Sequence, residues 1–243
     1  MSLAIWPTVE FETANHISAE EWFRLIEATH FMSFEAWQQV TQLGAAGAIL
    51  PMVPIIMLAY WQERRHKVVV AWSVALLAGI LVVLISKIAF AGWGLGIASL
   101  DFTGVSGHAL LATAILPVAI AWFSPTRHWT VVFMSMSLAI VILVGGSRVM
   151  LGAHSWSEVA AGWCLGALVS GTGLILMRGS GPYRRVPFAM RCFIAMALMG
   201  MIFMNRSMAE ALPSHTWEVQ LALALSGHER PFQRCDLHRQ AGG

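Results

Sequence analysis

Six long apolar runs, at about residues 42–61, 68–86, 106–123, 130–144, 159–177 and 188–204, constrain this chain more than any other feature. A helix needs about 20 residues to cross the hydrocarbon of a bilayer, and several of the runs approach that length. Only 12% of the residues are charged while 57% are hydrophobic. That is about half the charge of an ordinary soluble domain, so one soluble core would leave too much apolar surface in water. The predicted fold is all-α, a multi-pass transmembrane helix bundle of about six spans. The 130–144 run is short, and the adjoining Gly145 and Gly146 with some bilayer adaptation absorb the mismatch. Pro51, Pro54 and Pro117 inside spans predict kinks. Gly162 and Gly166 form a G-x-x-x-G, a close-packing face that carries architecture rather than chemistry.

The chain divides into an N-terminal segment, 1–41, a helical domain, 42–204, and a C-terminal tail, 205–243. The N-terminal stretch lacks the basic and uninterrupted apolar regions of an export signal and is expected to remain in the mature protein. From Ser18 it reads as a capped amphipathic helix, with Glu21 three residues on and Trp22, Leu25 and Ile26 on one face, lying along the membrane surface. Basic residues in short loops mark the cytoplasmic side. Arg64, Arg65, Lys67, Arg127, Arg178, Arg184 and Arg185 fall on one side, and the acidic N-terminal segment on the other. Both termini are therefore expected outside, although Arg206, Arg230, Arg234 and Arg239 make the tail the weak point of the count. Trp61, Trp122 and Trp129 would mark one interface, Trp93 and Trp156 the other. A net charge of +2 gives no electrostatic ground for a nucleic-acid partner, and Cys164, Cys192 and Cys235 lack metal-ligand spacing.

This topology puts loops 87–105 and 145–158 on the same external face, where Lys87, Asp101, Ser106, His108, Ser147, Arg148, His154 and Glu158 are gathered. Ionisable groups at the membrane rim are costly, which favours a functional reading. Ser106 would N-cap a helix with Gly107 and His108 in its first turn, where free amides and the helix dipole favour an anion. Alone, that tetrapeptide also fits an N-cap serine beside an exposed histidine. Farther on, His154 precedes Glu158 by four residues. If His154 begins the fifth helix, the carboxylate lies one turn below and can accept the Nδ1 proton, freeing Nε2 as a nucleophile. A loop histidine paired with a rim glutamate has the same spacing. Asp101 reads as a turn or helix-cap residue.

The series Lys87, Val105-Ser106-Gly107-His108, and Ser147-Arg148 with five residues to His154 and three more to Glu158 resembles the type 2 phosphatidic acid phosphatase (PAP2) superfamily, in particular its membrane lipid phosphatases. The family motifs read K-x6-R-P, P-S-G-H and S-R-x5-H-x3-D. The resemblance implies a metal-independent phosphatase that needs no cofactor and acts on a lipid phosphate or lipid pyrophosphate. His154 would attack phosphorus to give a phosphohistidine, oriented by Glu158. His108 would protonate the leaving oxygen and then activate water. Lys87, Arg148, Ser147 and the amides near Ser106 and Gly107 would hold the phosphoryl oxygens. The expected setting is a bacterial cytoplasmic membrane, with the site on the external, periplasmic face and membrane lipids as neighbours.

Three positions depart from the motifs. Val105 replaces the proline, Glu158 the aspartate, and Gly94-Leu95 the Arg-Pro of the first motif, so one phosphate-binding cation is missing. The glycine-rich stretch at 91–97 reads either as a source of backbone amides or as a simple rim loop. The residues alone leave two other functions open: transfer of the phosphoryl group to an alcohol instead of water, and a binding or transport protein with a degenerate site. They fix neither the lipid nor the oligomeric state.

Overall fold

The computed structural model describes residues 33–124, 127–178 and 214–241. Among these residues the regular structure is helical and no strand occurs; Ile97 and Phe102 form one isolated bridge. The helices are α1 (Phe34–Gln42), α2 (Ala46–Ile49), α3 (Met52–Gln62), α4 (His66–Trp93), α5 (Gly107–Phe123), α6 (Arg127–Met150), α7 (Trp156–Arg178), α8 (Ser214–Ser226) and α9 (Arg234–Ala241).

Helix α5 is the axis of the bundle. Its apolar residues run all round the helix, and Ala109, Leu110, Ala112, Ala114, Ile115 and Val118 have no exposed surface. A helix apolar on every face must be enclosed, here by α4, α6 and α7. Those outer helices turn large apolar side chains outward in return: Val70, Val74, Leu77, Leu81 and Ile85 form a stripe along α4, and Leu138, Leu168 and Ile175 stand exposed on α6 and α7. Apolar patches on that scale suit a lipid neighbour and would be a liability in water.

Glycine sets how closely α5 and α7 approach. A methyl group at Gly162 would fall 2.6 Å from the Ser106 carbonyl oxygen, and one at Gly166 would fall 2.7 Å from that of Leu110. The G-x-x-x-G face therefore does pack helix on helix, and it seats the first turn of α5 against the first turns of α7. At the far end, the Tyr60 hydroxyl donates to the Val118 carbonyl (2.9 Å), the Trp122 indole to Glu63 (3.0 Å) and Arg65 to the Met177 carbonyl (3.3 Å). The ends of α3, α5 and α7 and the start of α4 thus meet there, away from residues 94–106 and 151–158.

About six spans are not confirmed among the described residues. Within them three helices, in α4, α6 and α7, are long and apolar enough to cross a membrane. The 42–61 run is not one straight helix: α1 and the segment Ala46–Gln62 meet at a 43° bend, and together they would make a fourth span. The 106–123 run gives a helix of 17 residues, shorter than the usual crossing length. The 188–204 run and the N-terminal amphipathic helix lie outside the described residues. The 130–144 run needs little help from bilayer adaptation, because the helix continues through Gly145 and Gly146 to Met150, with the Trp163 indole packed over Gly145. Ser147 and Arg148 accordingly sit in the last turn of α6 rather than in a loop.

Gly162→Ala or Gly166→Ala should lower stability by about 1 to 3 kcal/mol through overpacking against α5. Gly171→Ala, on the same helix with nothing within 4 Å of the added methyl, should cost nothing. Thermal unfolding of the purified variants in detergent checks the contrast.

Candidate active site

Two reciprocal hydrogen bonds start α7. The Ser155 hydroxyl accepts from the Glu158 amide (3.4 Å), and the Glu158 carboxylate accepts from the Ser155 amide (3.1 Å). This is a capping box, and the S-W-S-E spelling at 155–158 was a sequence signal for it. The helix therefore begins at Trp156, and His154 lies just before it instead of starting it. The expected pairing forms all the same: His154 Nδ1 donates to Glu158 Oε2 at 2.7 Å. Upstream, the amides of Ala153 and His154 both donate to the Arg148 carbonyl (2.9 and 3.1 Å). The spacing from Arg148 to His154 is thus that of a closed turn on the end of α6.

Glu158 has no exposed surface. Besides His154 and Ser155, its oxygens accept from the Thr103 amide (2.7 Å) and hydroxyl (2.5 Å) and from Arg234 Nη2, at 3.0 Å from each oxygen. A buried carboxylate this fully bonded is a fixed anion, and it holds the imidazole in the tautomer that leaves Nε2 free.

Two adjoining cavities share Lys87, Arg148 and Glu218. One, of about 340 Å³, contains His108 and Gly107 and is walled by Leu50, Ile80, Val83, Leu84, Leu110 and Leu111. The other, of about 540 Å³, contains His154, Thr103, Gln233 and Arg234. The two histidines thus flank a shared cationic centre, one on the apolar side and one on the polar side. Arg148 Nη1 donates to the Thr41 hydroxyl (3.1 Å), while its buried Nε has no hydrogen-bond partner. Lys87 Nζ donates to both Glu218 oxygens (3.2 and 3.0 Å).

Three expected contributors do not line these cavities. Glu158 stands behind His154. The buried Ser147 hydroxyl donates to the Val144 carbonyl (2.7 Å) within its own helix. Ser106 is the N-cap residue of α5, but its buried hydroxyl has no hydrogen-bond partner and its amide donates to the Glu158 carbonyl (3.1 Å). Of the two amides expected to face an anion, that of Ser106 is already used. The glycine-rich stretch behaves as a rim loop: Gly94, in the left-handed conformation (φ 68°), ends α4. Asp101 is a turn residue as expected, and it also binds Arg234 and His238 (2.8 Å to the latter).

Sequence reasoning missed Thr41, Thr103, Glu218 and Arg234. Arg234 lies 76 residues from Glu158 and Glu218 lies 131 from Lys87. No local pattern marks contacts at that separation.

Comparison with known proteins agrees with the motif geometry. A family model described as the PAP2 superfamily matches residues 89–181. An uncharacterized 22.5 kDa protein from the cps region of Klebsiella pneumoniae is 34% identical over 211 residues, covering 84% of this chain and 99% of the relative. The chain belongs to the PAP2 superfamily. No solved structure matches it. Membership in PAP2 supports a phosphatase-type enzyme, and the matched region holds His108, Arg148, His154 and Glu158. Lys87 and the segment 214–241 fall outside it.

Ser155→Ala should cost about 1 kcal/mol through loss of the cap. Glu158→Gln should cost about 2 to 3 kcal/mol, at the low end for a broken buried pair because Arg234 keeps one-third of its surface in solvent. Unfolding midpoints in detergent rank the two.

Proposed function

We propose that this PAP2 protein is a membrane phosphatase that removes phosphate from a lipid phosphate or lipid pyrophosphate through a phosphohistidine on His154. The observation that carries the reading is the pair of cavities, which join at Lys87 and Arg148 with His108 in one and His154 in the other. Phosphoryl transfer needs cations around the phosphoryl oxygens and an in-line nucleophile and acid on either side. A phosphate between Lys87 and Arg148 has both.

The steps follow from those positions. His154 Nε2 attacks phosphorus, with Glu158 holding the Nδ1 proton and the charge that develops on the ring. The bond from phosphorus to the leaving oxygen breaks as His108 gives that oxygen a proton. Water then enters on the His108 side and yields a proton to His108. Its oxygen displaces His154, and inorganic phosphate leaves.

The wall around His108 supports a lipid as the leaving group. Leu50, Ile80, Val83, Leu84, Leu110 and Leu111 surround the side from which the alcohol departs, and α4, with its outward apolar stripe, supplies three of them. A head group can enter there while its chains stay in hydrocarbon. The active face is assigned to the periplasmic side of a bacterial membrane, since Arg64, Arg65, Lys67, Arg127 and Arg178 lie at the opposite helix ends. The division into an interfacial segment, a catalytic bundle and a tail is retained as part of the same reading.

Phosphate release from lipid phosphates in mixed micelles should fall by about a thousandfold or more in His154→Ala. Acid-labile, base-stable label from a phosphate-labelled donor should appear on His154 and persist longer in His108→Ala. Equal activity in wild type and His154→Ala would end the proposal.

Ala46 also lines the apolar cavity, and Ala46→Phe, which would fill it, should lower kcat/KM about tenfold for a long-chain lipid phosphate. A water-soluble aryl phosphate should be little affected. Parallel kinetics on the two substrates make the comparison.

A further inference from the structure

The C-terminal segment is docked on the site by backbone contacts. The Phe232 amide donates to the Ala91 carbonyl (2.9 Å), and His228 Nδ1 lies 2.8 Å from the Gly92 carbonyl oxygen. The Phe232 ring covers Gly94, where an added methyl would fall 2.9 Å from it. The segment therefore occupies the place above position 94 that any side chain there would need, and two residues beyond Phe232 it delivers Arg234.

Arg234 is held from both sides. Its Nη1 donates to the Asp101 carbonyl (2.8 Å) and to the Asp101 carboxylate, and its Nη2 donates to both Glu158 oxygens and, at 3.4 Å, to the Thr103 hydroxyl. Asp101 is fixed in turn by its left-handed turn conformation and by His238. The order of contacts is Asp101, Arg234, Glu158, His154.

That order has a chemical consequence. A carboxylate with no exposed surface needs a compensating positive charge. The other donors to Glu158 are amides, a hydroxyl and an imidazole, and of these only the imidazole can become a cation. Without Arg234, the buried carboxylate would be compensated most simply by a protonated His154. Protonation removes the Nε2 lone pair and with it the nucleophile. With Arg234 in place the charge is matched independently, and His154 can remain neutral while still donating Nδ1–H to Glu158.

We propose that Arg234 is a positioning residue for the nucleophile: by pairing with Glu158 from the C-terminal segment, it keeps His154 neutral and aimed. The inference rests on the reading of His154 as the nucleophile. The fork of Arg234 is spent on two carboxylates, so it acts through Glu158 and not on the substrate.

The test uses the full-length protein and the variants Arg234→Gln and Arg234→Lys in detergent. The first readout needs no substrate: the rate at which diethyl pyrocarbonate, which reacts with neutral imidazole, modifies His154, followed by peptide mass spectrometry. Arg234→Gln should slow it about tenfold, while Arg234→Lys, which keeps the charge but loses the fork, should slow it clearly less. The second readout is kinetic. Arg234→Gln should lower kcat about a hundredfold with KM and competitive inhibition by inorganic phosphate nearly unchanged. Wild-type reactivity of His154 in Arg234→Gln would overturn the proposal. So would an equal loss in both variants, or a loss confined to KM and inhibition by inorganic phosphate, which would mark a phosphate ligand. Slowed modification of His154 in a protein whose wild type releases no phosphate would support the positioning role and sink the phosphatase reading alone.

Discussion

A carboxylate shut away from water must have its charge answered by its neighbours, and Glu158 gathers the parts of the site for that reason. Its oxygens take bonds from the loop before α5, the cap of α7, the histidine that precedes α7, and the C-terminal segment. Leaving such an anion unpaired costs several kcal/mol, which is comparable to the whole stability of many domains. Folding therefore cannot finish without bringing those four pieces together. The arrangement that satisfies the charge is the one that aims His154.

The extra methylene of glutamate has a role in this convergence. In a capping box the third residue must reach back past the first turn to the N-cap amide, which glutamate does in the usual form of the motif. Glu158 makes that reach to Ser155 with one oxygen and takes the Thr103 amide with the other. Position 158 thus caps the start of α7 and orients the histidine with a single group. The glycines one and two turns farther along α7 then let α5 approach until the Ser106 amide meets the Glu158 carbonyl. Small residues at 162 and 166 are accordingly part of how α5, which carries His108, and α7, which follows His154, reach one another.

Much of this was legible in the sequence because it is local. The five residues between Arg148 and His154 form one turn, and the four-residue step from His154 to Glu158 stays in reach even though the helix starts two residues later than His154. The all-helical class followed from apolar runs longer than any strand needs. What hydropathy misjudged was continuity. A run such as 42–61 looks uniform by composition, yet the chain bends by 43° across residues 43–45, where Gly44 lies close against Val144 and the His108 backbone. In the other direction, the apolar run stops at 144 and leaves Arg148 in an expected loop, but at a helix terminus its side chain can face a cavity while its backbone remains helical. The ion pairs Lys87–Glu218 and Arg234–Glu158 were illegible because charge alone does not specify a partner more than 70 residues away.

Gly94 and Arg234 are best understood together. The first motif of the family places an arginine where this chain has a glycine, and taken alone that substitution reads as decay. Yet Gly94 has a positive φ, which disfavours any side chain, and its open face is filled by Phe232. An arginine at that position would pay backbone strain and displace the ring, and with it the docking of the segment that ends in Arg234. In this chain the seated Phe232 ring occupies the space that a side chain at position 94 would need. The cation that the segment brings, Arg234, pairs with the buried Glu158 carboxylate, which under the proposed function stands behind the nucleophile. Under that same proposal the phosphoryl group is left to Lys87 and Arg148. A site with fewer fixed charges toward its substrate and more toward its own histidine fits a ligand whose binding comes largely from apolar chains.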